Sequence, residues 1–317
     1  MKTPELSIII INFNTFALTS ACIESIAAYT KGIDYEVILV DNASQECEPK
    51  LFKEKYPWIQ LIESTQNLGF AKGNNLGLTQ AKGEYILLLN SDTELINEAI
   101  PALVEKIRIN SKIGALSARL IYPDGRIQPA ANRFPSLRLE LLELFRLNKL
   151  MSAEQRAKTF MGFFFDHLSE REVDWIWGTF FLTRLEVIQK LPNQKLPDDF
   201  FMYYEDVQWC YMIKKLGYTI VYDPRYPVIH HLSASSSSQG DAWSRNWKKM
   251  LLSTQNEITL LTQEKGKWYV YLLYAIRSLK YLTLRKKRFR QIALFYTQIL
   301  WNRLDTASLK TLSKLEK

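Results

Sequence analysis

Three times within its first 92 residues the chain runs an apolar, strand-length segment straight into a cluster of Asn, Asp or Ser. Leu6 to Ile11 stops at Asn12-Phe13-Asn14-Thr15, Tyr35 to Val40 at Asp41-Asn42-Ala43-Ser44, and Tyr85 to Leu89 at Asn90-Ser91-Asp92. Runs of this kind predict strands covered on both faces, as in a parallel sheet. Helical segments follow the first strand to about Ala28 and the second over roughly 48–56, and a short strand is expected at Ile59 to Ile62. Right-handed β-α-β crossovers then put the carboxyl end of every strand on one edge. Open α/β sheets bind their ligands at that edge. One polar ending is equally well a helix cap, Ser91-Asp92-Thr93 included. Three on one edge point to a ligand site.

The segment before the third of these strands is Asn67-Leu68-Gly69-Phe70-Ala71-Lys72-Gly73-Asn74-Asn75-Leu76-Gly77. Its glycines allow close backbone approach, and a helix amino terminus there suits a phosphate. It is neither a dinucleotide fingerprint nor a phosphate loop. The first strand-to-helix turn has no glycine, which argues against a Rossmann dehydrogenase.

The length of 317 residues allows one large α/β domain with an extension, and 47% hydrophobic residues exclude a disordered chain. Cys22, Cys47 and Cys210 form no pairable or metal-binding spacing and read as reduced thiols of an intracellular protein. The amino-terminal residues read as lacking a signal peptide. The formal charge of +8 calls for an anionic partner.

Further along, Pro123-Asp124-Gly125 marks a hairpin from Leu120 to Gln128. Leu137 to Leu150 reads as an amphipathic helix, and Val173 to Arg184 as an aromatic strand kinked at Gly178. Asp198-Asp199-Phe200-Phe201-Met202-Tyr203-Tyr204-Glu205-Asp206 leads into a helix closed at Gly217, with Glu205 and Asp206 in the first turn, where the helix dipole favours ionised carboxylates. His230 and His231 follow one more strand. Residues 241–317 are basic, aromatic and helical: an apolar stretch from Trp268 to Ile276, the cationic block Arg285-Lys286-Lys287-Arg288, and a second apolar stretch from Ile292 to Trp301. Neither stretch reaches the roughly twenty residues of a membrane span. Amphipathic helices beside a cationic block read as an interfacial anchor on anionic lipid, with packing on the catalytic domain or on a second chain as the other reading. No nucleic-acid recognition motif accompanies the charge, so nucleic acid is not expected as a partner.

The series Asn12-Phe13-Asn14, Val40-Asp41-Asn42-Ala43-Ser44, Asn67 to Asn75 and Leu89-Asn90-Ser91-Asp92 resembles the family 2 glycosyltransferases, rhamnosyltransferase-type members above all, in order and spacing over residues 5 to 240. The resemblance implies a GT-A fold, a Rossmann-like, mostly parallel sheet flanked by helices. Here it would occupy residues 1–240, a nucleotide-sugar half over about 1–120 and an acceptor half over 121–240. Residues 241–317 would be a helical extension.

By that resemblance Ile11, Asn12, Asn14 and Asp41 would hold the base and ribose of a nucleotide-diphosphate sugar, with Asn67, Gly73, Asn74 and Ser91 lining the same side. Asp92 would match the last acid of the family's Asp-x-Asp motif, which binds Mg²⁺ or Mn²⁺; its first position is Asn90 here. Trp177, Gly178 and Asp199 would line the acceptor side. Asp206, supported by Glu205, would be the general base of an inverting transfer. His230 falls at the family's metal-ligand position. The glycines that follow it in the family are Leu232 and Ser233 here, so His231 stays a candidate. The expected enzyme works at the cytoplasmic membrane face. It moves a sugar, rhamnose from a dTDP donor, to a lipid-linked or polysaccharide acceptor, with oligomers possible. The alternatives are a UDP-hexose or galactofuranose donor, or a non-catalytic sugar-nucleotide-binding subunit. A glycoside hydrolase would need a second acid across the cleft.

Overall fold

The structure is a computed structural model that describes residues 3–232, 242–284, 287–302 and 304. In chain order the elements are β1 (Leu6–Asn12), α1 (Phe16–Tyr29), β2 (Tyr35–Asp41), α2 (Lys50–Lys55), β3 (Gln60–Glu63), α3 (Gly69–Leu78), β4 (Tyr85–Asn90), β5 (Thr93–Leu95), α4 (Ala99–Ile109), β6 (Ile113–Ile121), β7 (Ala131–Asn132), α5 (Leu137–Leu144), α6 (Ala153–Phe160), β8 (Arg171–Val173), β9 (Trp175–Ile176), β10 (Phe180–Arg184), α7 (Leu185–Gln189), α8 (Glu205–Lys215), β11 (Thr219–His230), α9 (Ala242–Lys265), α10 (Lys267–Leu282) and α11 (Lys287–Trp301).

The unbroken apolar runs are the central strands of one sheet ordered β3-β2-β1-β4-β10-β6-β11-β5, with β8 on β11. Strands β1 to β4 pair in parallel, as do β6 and β11, while β10 runs antiparallel between β4 and β6. Ile8 to Ile10, Val37 to Val40 and Ile86 to Leu88 have no exposed surface, because helices cover both faces. The sheet is mostly parallel and flanked by helices, as the β-α repeats require.

Local expectations hold and fail for identifiable reasons. Gly217 ends α8 with φ +88°, the left-handed position a helix stop needs. The Leu120–Gln128 hairpin closes through the Gln128 N–H to the Leu120 carbonyl. Ser91-Asp92-Thr93 does not cap a helix: Thr93 opens β5, which pairs antiparallel with the end of β11. The helix expected over Leu137 to Leu150 is α only to Leu144, where Phe145 and a left-handed Arg146 turn the chain into a 3₁₀ segment, Leu147–Leu150.

Two compact units result: Met1–Arg133 with Asp166–Gln239, and Phe134–Phe165 with Gly240–Lys317. The first unit holds the sheet. The second is helical and includes residues 134–165, which the sequence reading grouped with the acceptor half. It has its own core of Leu261, Val270, Leu273, Tyr274, Phe295 and Ile299. A buried ion network crosses it. Arg277 donates to Glu257 (2.6 Å) and to Glu140 (2.6 Å), and Lys280 bridges Glu140 and Glu143. Glu140 lies on α5, so this network ties residues from the middle of the chain to α9 and α10. No helix among the described residues is long and apolar enough to cross a membrane.

Candidate active site

The carboxyl edge of the sheet collects most of the residues singled out above. In β1 and β2, Asn12 stands opposite Asp41. The Asn12 amide donates to Asp41 Oδ2 (2.7 Å) and to Ser44 Oγ (2.9 Å), and its oxygen accepts from Thr15 (3.0 Å) and Thr19 (2.7 Å). All four hydrogen-bonding positions of Asn12 are therefore taken within the protein. Asn12 holds the Asp41 carboxylate in place. Asp41 accepts a second bond at Oδ1 from the Ser44 N–H (2.9 Å). Asn14, left-handed at φ 54°, accepts from the Gln45 N–H (2.7 Å) and so stitches the first two strand ends together.

The loop before α3 is built by amides. Asn42, which the sequence reading left without a role, accepts from the Leu68 N–H (2.8 Å) and donates to Asn67 Oδ1 (3.0 Å), which in turn accepts from the Gly69 N–H (2.9 Å). Gly73 lets α3 pack closely on β1: a Cβ there would meet the Ile11 side chain at 3.3 Å. Asn74 donates back to the Phe70 carbonyl (2.9 Å), and its own Oδ1 is buried with no partner among the described residues.

At the end of β4 the Asn90 N–H donates to the Thr179 carbonyl (3.0 Å), and Asn90 Oδ1 is a second buried acceptor with no partner among the described residues. Ser91 Oγ meets Thr15 Oγ1 at 3.2 Å. Asp92 and His230 come together because β5 pairs with β11 in the register Thr93–His230, reinforced by the His231 N–H to the Asp92 carbonyl (2.9 Å). His230 Nε2 lies 3.3 Å from Asp92 Oδ1, and both side chains are buried. His231 points elsewhere, its Nε2 3.4 Å from Glu94.

Gln128, the last residue of the hairpin, orients the His230 ring. Its Nε2 donates to the His230 carbonyl (2.8 Å), which turns Oε1 onto His230 Nδ1 (2.8 Å). Oε1 can only accept, so His230 donates from Nδ1 and turns Nε2 towards the Asp92 carboxylate. An imidazole nitrogen beside a carboxylate is a donor pair that suits a divalent cation. No cluster of three or more His, Cys, Asp or Glu suited to a metal occurs among the described residues. A metal here would take Asp92 and His230 from the chain and its remaining ligands from elsewhere. An imidazole in the set favours Mn²⁺ over Mg²⁺.

The other side of the edge is formed by α8. Asp206 Oδ2 accepts from the Gly178 N–H (3.1 Å) and Oδ1 from the Val207 N–H (2.8 Å). Gly178 adjoins Thr179, whose carbonyl accepts the Asn90 N–H, so α8 is tied to the β4 end through one glycine. A Cβ at Gly178 would stand 2.8 Å from the Phe70 ring and 3.7 Å from Asp206 Cβ. Trp177 packs edge-on to His230, ring centres 6.4 Å apart, whereas Trp175 is anchored to the Arg133 carbonyl (3.0 Å). Asp199 accepts from Gln208 on α8 (2.7 Å). The turn into α8 has two consecutive left-handed tyrosines, Tyr203 (φ 66°) and Tyr204 (φ 78°), a costly conformation of the kind found where function holds a residue in place. Burial, and then the neighbouring Asp206, pushes the Glu205 carboxyl up to about 8, and its Oε2 has no partner among the described residues.

Residues 7–191 match the family Glycosyl transferase family 2. The chain belongs to glycosyltransferase family 2. Among its relatives is the N-acetylglucosaminyl-diphospho-decaprenol L-rhamnosyltransferase of Mycobacterium tuberculosis, 27% identical over 216 residues, 63% of this chain and 67% of the relative. The low-salt glycan biosynthesis hexosyltransferase Agl10 of Haloferax volcanii is 25% identical over 220 residues, 67% of this chain and 62% of the relative. Two solved structures share the fold. One is the mannosyltransferase PcManGT of Pyrobaculum calidifontis, solved with GDP-Man and Mn²⁺, with TM-score 0.53, 16% identity and coverage of 98% of this chain and 88% of that one. The other is S. aureus TarS 1-349, with TM-score 0.51, 12% identity and coverage of 95% and 88%. The fold is GT-A, and the protein is a glycosyltransferase.

Proposed function

We propose that this family 2 glycosyltransferase is an inverting, metal-dependent enzyme. It would move rhamnose from dTDP-rhamnose to a lipid-linked or polysaccharide acceptor at the cytoplasmic face of a membrane. The observation that carries the reading is the Asp92–His230 pair at 3.3 Å, oriented by Gln128, on the same sheet edge as the Asp41 carboxylate and the Gly178–Asp206 contact. The rhamnosyl donor and lipid-linked acceptor rest on the likeness to the mycobacterial rhamnosyltransferase.

In this reading Asp41, locked by Asn12 and Ser44, accepts a hydrogen bond from the nucleobase. A divalent cation held by Asp92 and His230 would neutralise charge on the departing diphosphate. Asp206, held in place by two backbone N–H groups at the start of α8, takes the proton of the acceptor hydroxyl as that oxygen attacks the anomeric carbon. Attack from the face opposite the nucleotide inverts the configuration. A carboxylate suffices for this because the hydroxyl loses its proton late in the attack. Glu205, protonated at neutral pH, supports the turn without competing for that proton.

The test is a transfer assay with Mn²⁺ over dTDP-rhamnose, UDP-hexoses and UDP-galactofuranose, using a polyprenyl-diphosphate-linked acetamido sugar as acceptor, with the product anomer read by NMR. dTDP release that depends on acceptor and gives the inverted linkage is expected. Turnover of a UDP donor alone would move the assignment to the other donor class. Retention of configuration would overturn the role of Asp206.

A further inference from the structure

Helix α10 is apolar on two opposite sides. One side, with Val270, Leu273 and Tyr274, is packed in the core of the helical unit. The other carries Trp268, Leu272, Ala275, Leu279 and Leu282, at spacings of four, three, four and three residues, which form one stripe along a helix. That stripe is open: Trp268 is 84% exposed, and Leu272, Leu279 and Leu282 are each about half exposed. Solvated helices seldom present such a face without something to cover it.

Charge selects the occupant. From Lys265 to Leu304 the chain has ten Lys and Arg and no Asp or Glu. Of these, Arg277 and Lys280 are consumed by Glu257, Glu140 and Glu143 inside the unit. Of the other eight, Lys265 and Lys267 flank the start of α10 in sequence, five lie between Arg285 and Arg290 just after its end, and Arg303 lies further on. A second copy would bring the same cations against themselves with no acid on these residues to answer them, the reverse of how paired helices choose partners. An anionic lipid surface answers both features: acyl chains take the stripe, and headgroups take the flanking cations. Sixteen residues extend about 24 Å, short of a bilayer core, so α10 would lie in the plane of the surface.

We propose that the Trp268-Leu272-Ala275-Leu279-Leu282 stripe is the lipid-facing surface of this enzyme and that α10 docks in the interface of an anionic membrane. This docking deepens the membrane reading given above and rests on it.

The experiment is flotation of the full chain with vesicles of phosphatidylcholine alone and of phosphatidylcholine with phosphatidylglycerol, at low and high salt. Binding to the anionic vesicles that weakens with salt is expected. The exposed double substitution Leu272→Ser with Leu279→Ser should lower the partition coefficient at least about tenfold. Melting temperature and dTDP binding, measured alongside, report whether the fold and donor site survive. Wild-type binding by the double variant overturns the proposal. So does a solution dimer, dispersed by the same two substitutions, in a chain that ignores vesicles. In either case retained dTDP binding leaves the transferase reading standing.

Discussion

His230 Nε2 faces Asp92 Oδ1 at 3.3 Å because the last residue of β11 pairs with the first residue of β5. The pairing sets the distance, and Gln128 sets the ring orientation, since its amide accepts from Nδ1 and turns Nε2 towards Asp92. Gln128→Ala should leave the β5–β11 pairing intact and weaken Mn²⁺ binding in the presence of dTDP by about 10- to 100-fold, the usual cost of losing a partner behind a ligand. Titration calorimetry checks the affinity. An unchanged affinity would remove the orienting role.

Glu205 gives a pH signature. Its carboxyl rises from 4.5 to about 8 in the folded chain, through burial first and Asp206 second. Below pH 4.5 both folded and unfolded chains carry the proton, and Glu205 costs nothing. As pH rises from there to about 8, the unfolded chain ionises first and folding becomes steadily less favourable; above about 8 the penalty is complete. Glu205→Gln should therefore raise the melting temperature at pH 9 by at least about 4 °C and change it little near pH 4.5. A gain that does not vary with pH would contradict this.

Asp223 behaves in the opposite sense. Burial raises its carboxyl, but hydrogen bonds from Arg225 and Lys106 overcome that and bring it down to about 2. The stabilisation is present above the ordinary carboxylate range and is lost as pH falls towards 2. Asp223 has no exposed surface, and its partner Lys106 lies 2.6 Å away on α4. Asp223→Asn should cost about 2 kcal/mol at pH 7 by removing charged hydrogen bonds from Lys106, which keeps Glu170, and from Arg225, measured by urea unfolding, with the difference shrinking towards pH 2.

Much of this architecture is legible in the residues. Apolar runs without alternation announce buried parallel strands, and their abrupt polar ends mark where the strands stop on one edge of the sheet. What stays hidden depends on contacts far apart in the chain. Gln128 has no spacing to mark it; it follows a surface turn and meets His230 only when β11 brings that residue alongside. The four internal hydrogen bonds of Asn12, and the support they give Asp41, need β1, β2 and α1 together. The close contact of Gly73 with Ile11 likewise needs α3 laid on β1. Residues 134–165 join the carboxyl-terminal helices because Glu140 meets Arg277 and Lys280, cations that lie more than a hundred residues further on. Tyrosine does not advertise a left-handed backbone, so the strained entry to α8 could not be read at Tyr203 and Tyr204.

The central claim is that Asp206 takes the acceptor proton, and one measurement addresses it most directly. The single-turnover rate of sugar transfer with donor and Mn²⁺ saturating should fall at least about 100-fold in Asp206→Asn, the usual scale for removing a general base, while dTDP and Mn²⁺ affinities stay within about twofold of wild type. Transfer at the wild-type rate by Asp206→Asn would contradict the account.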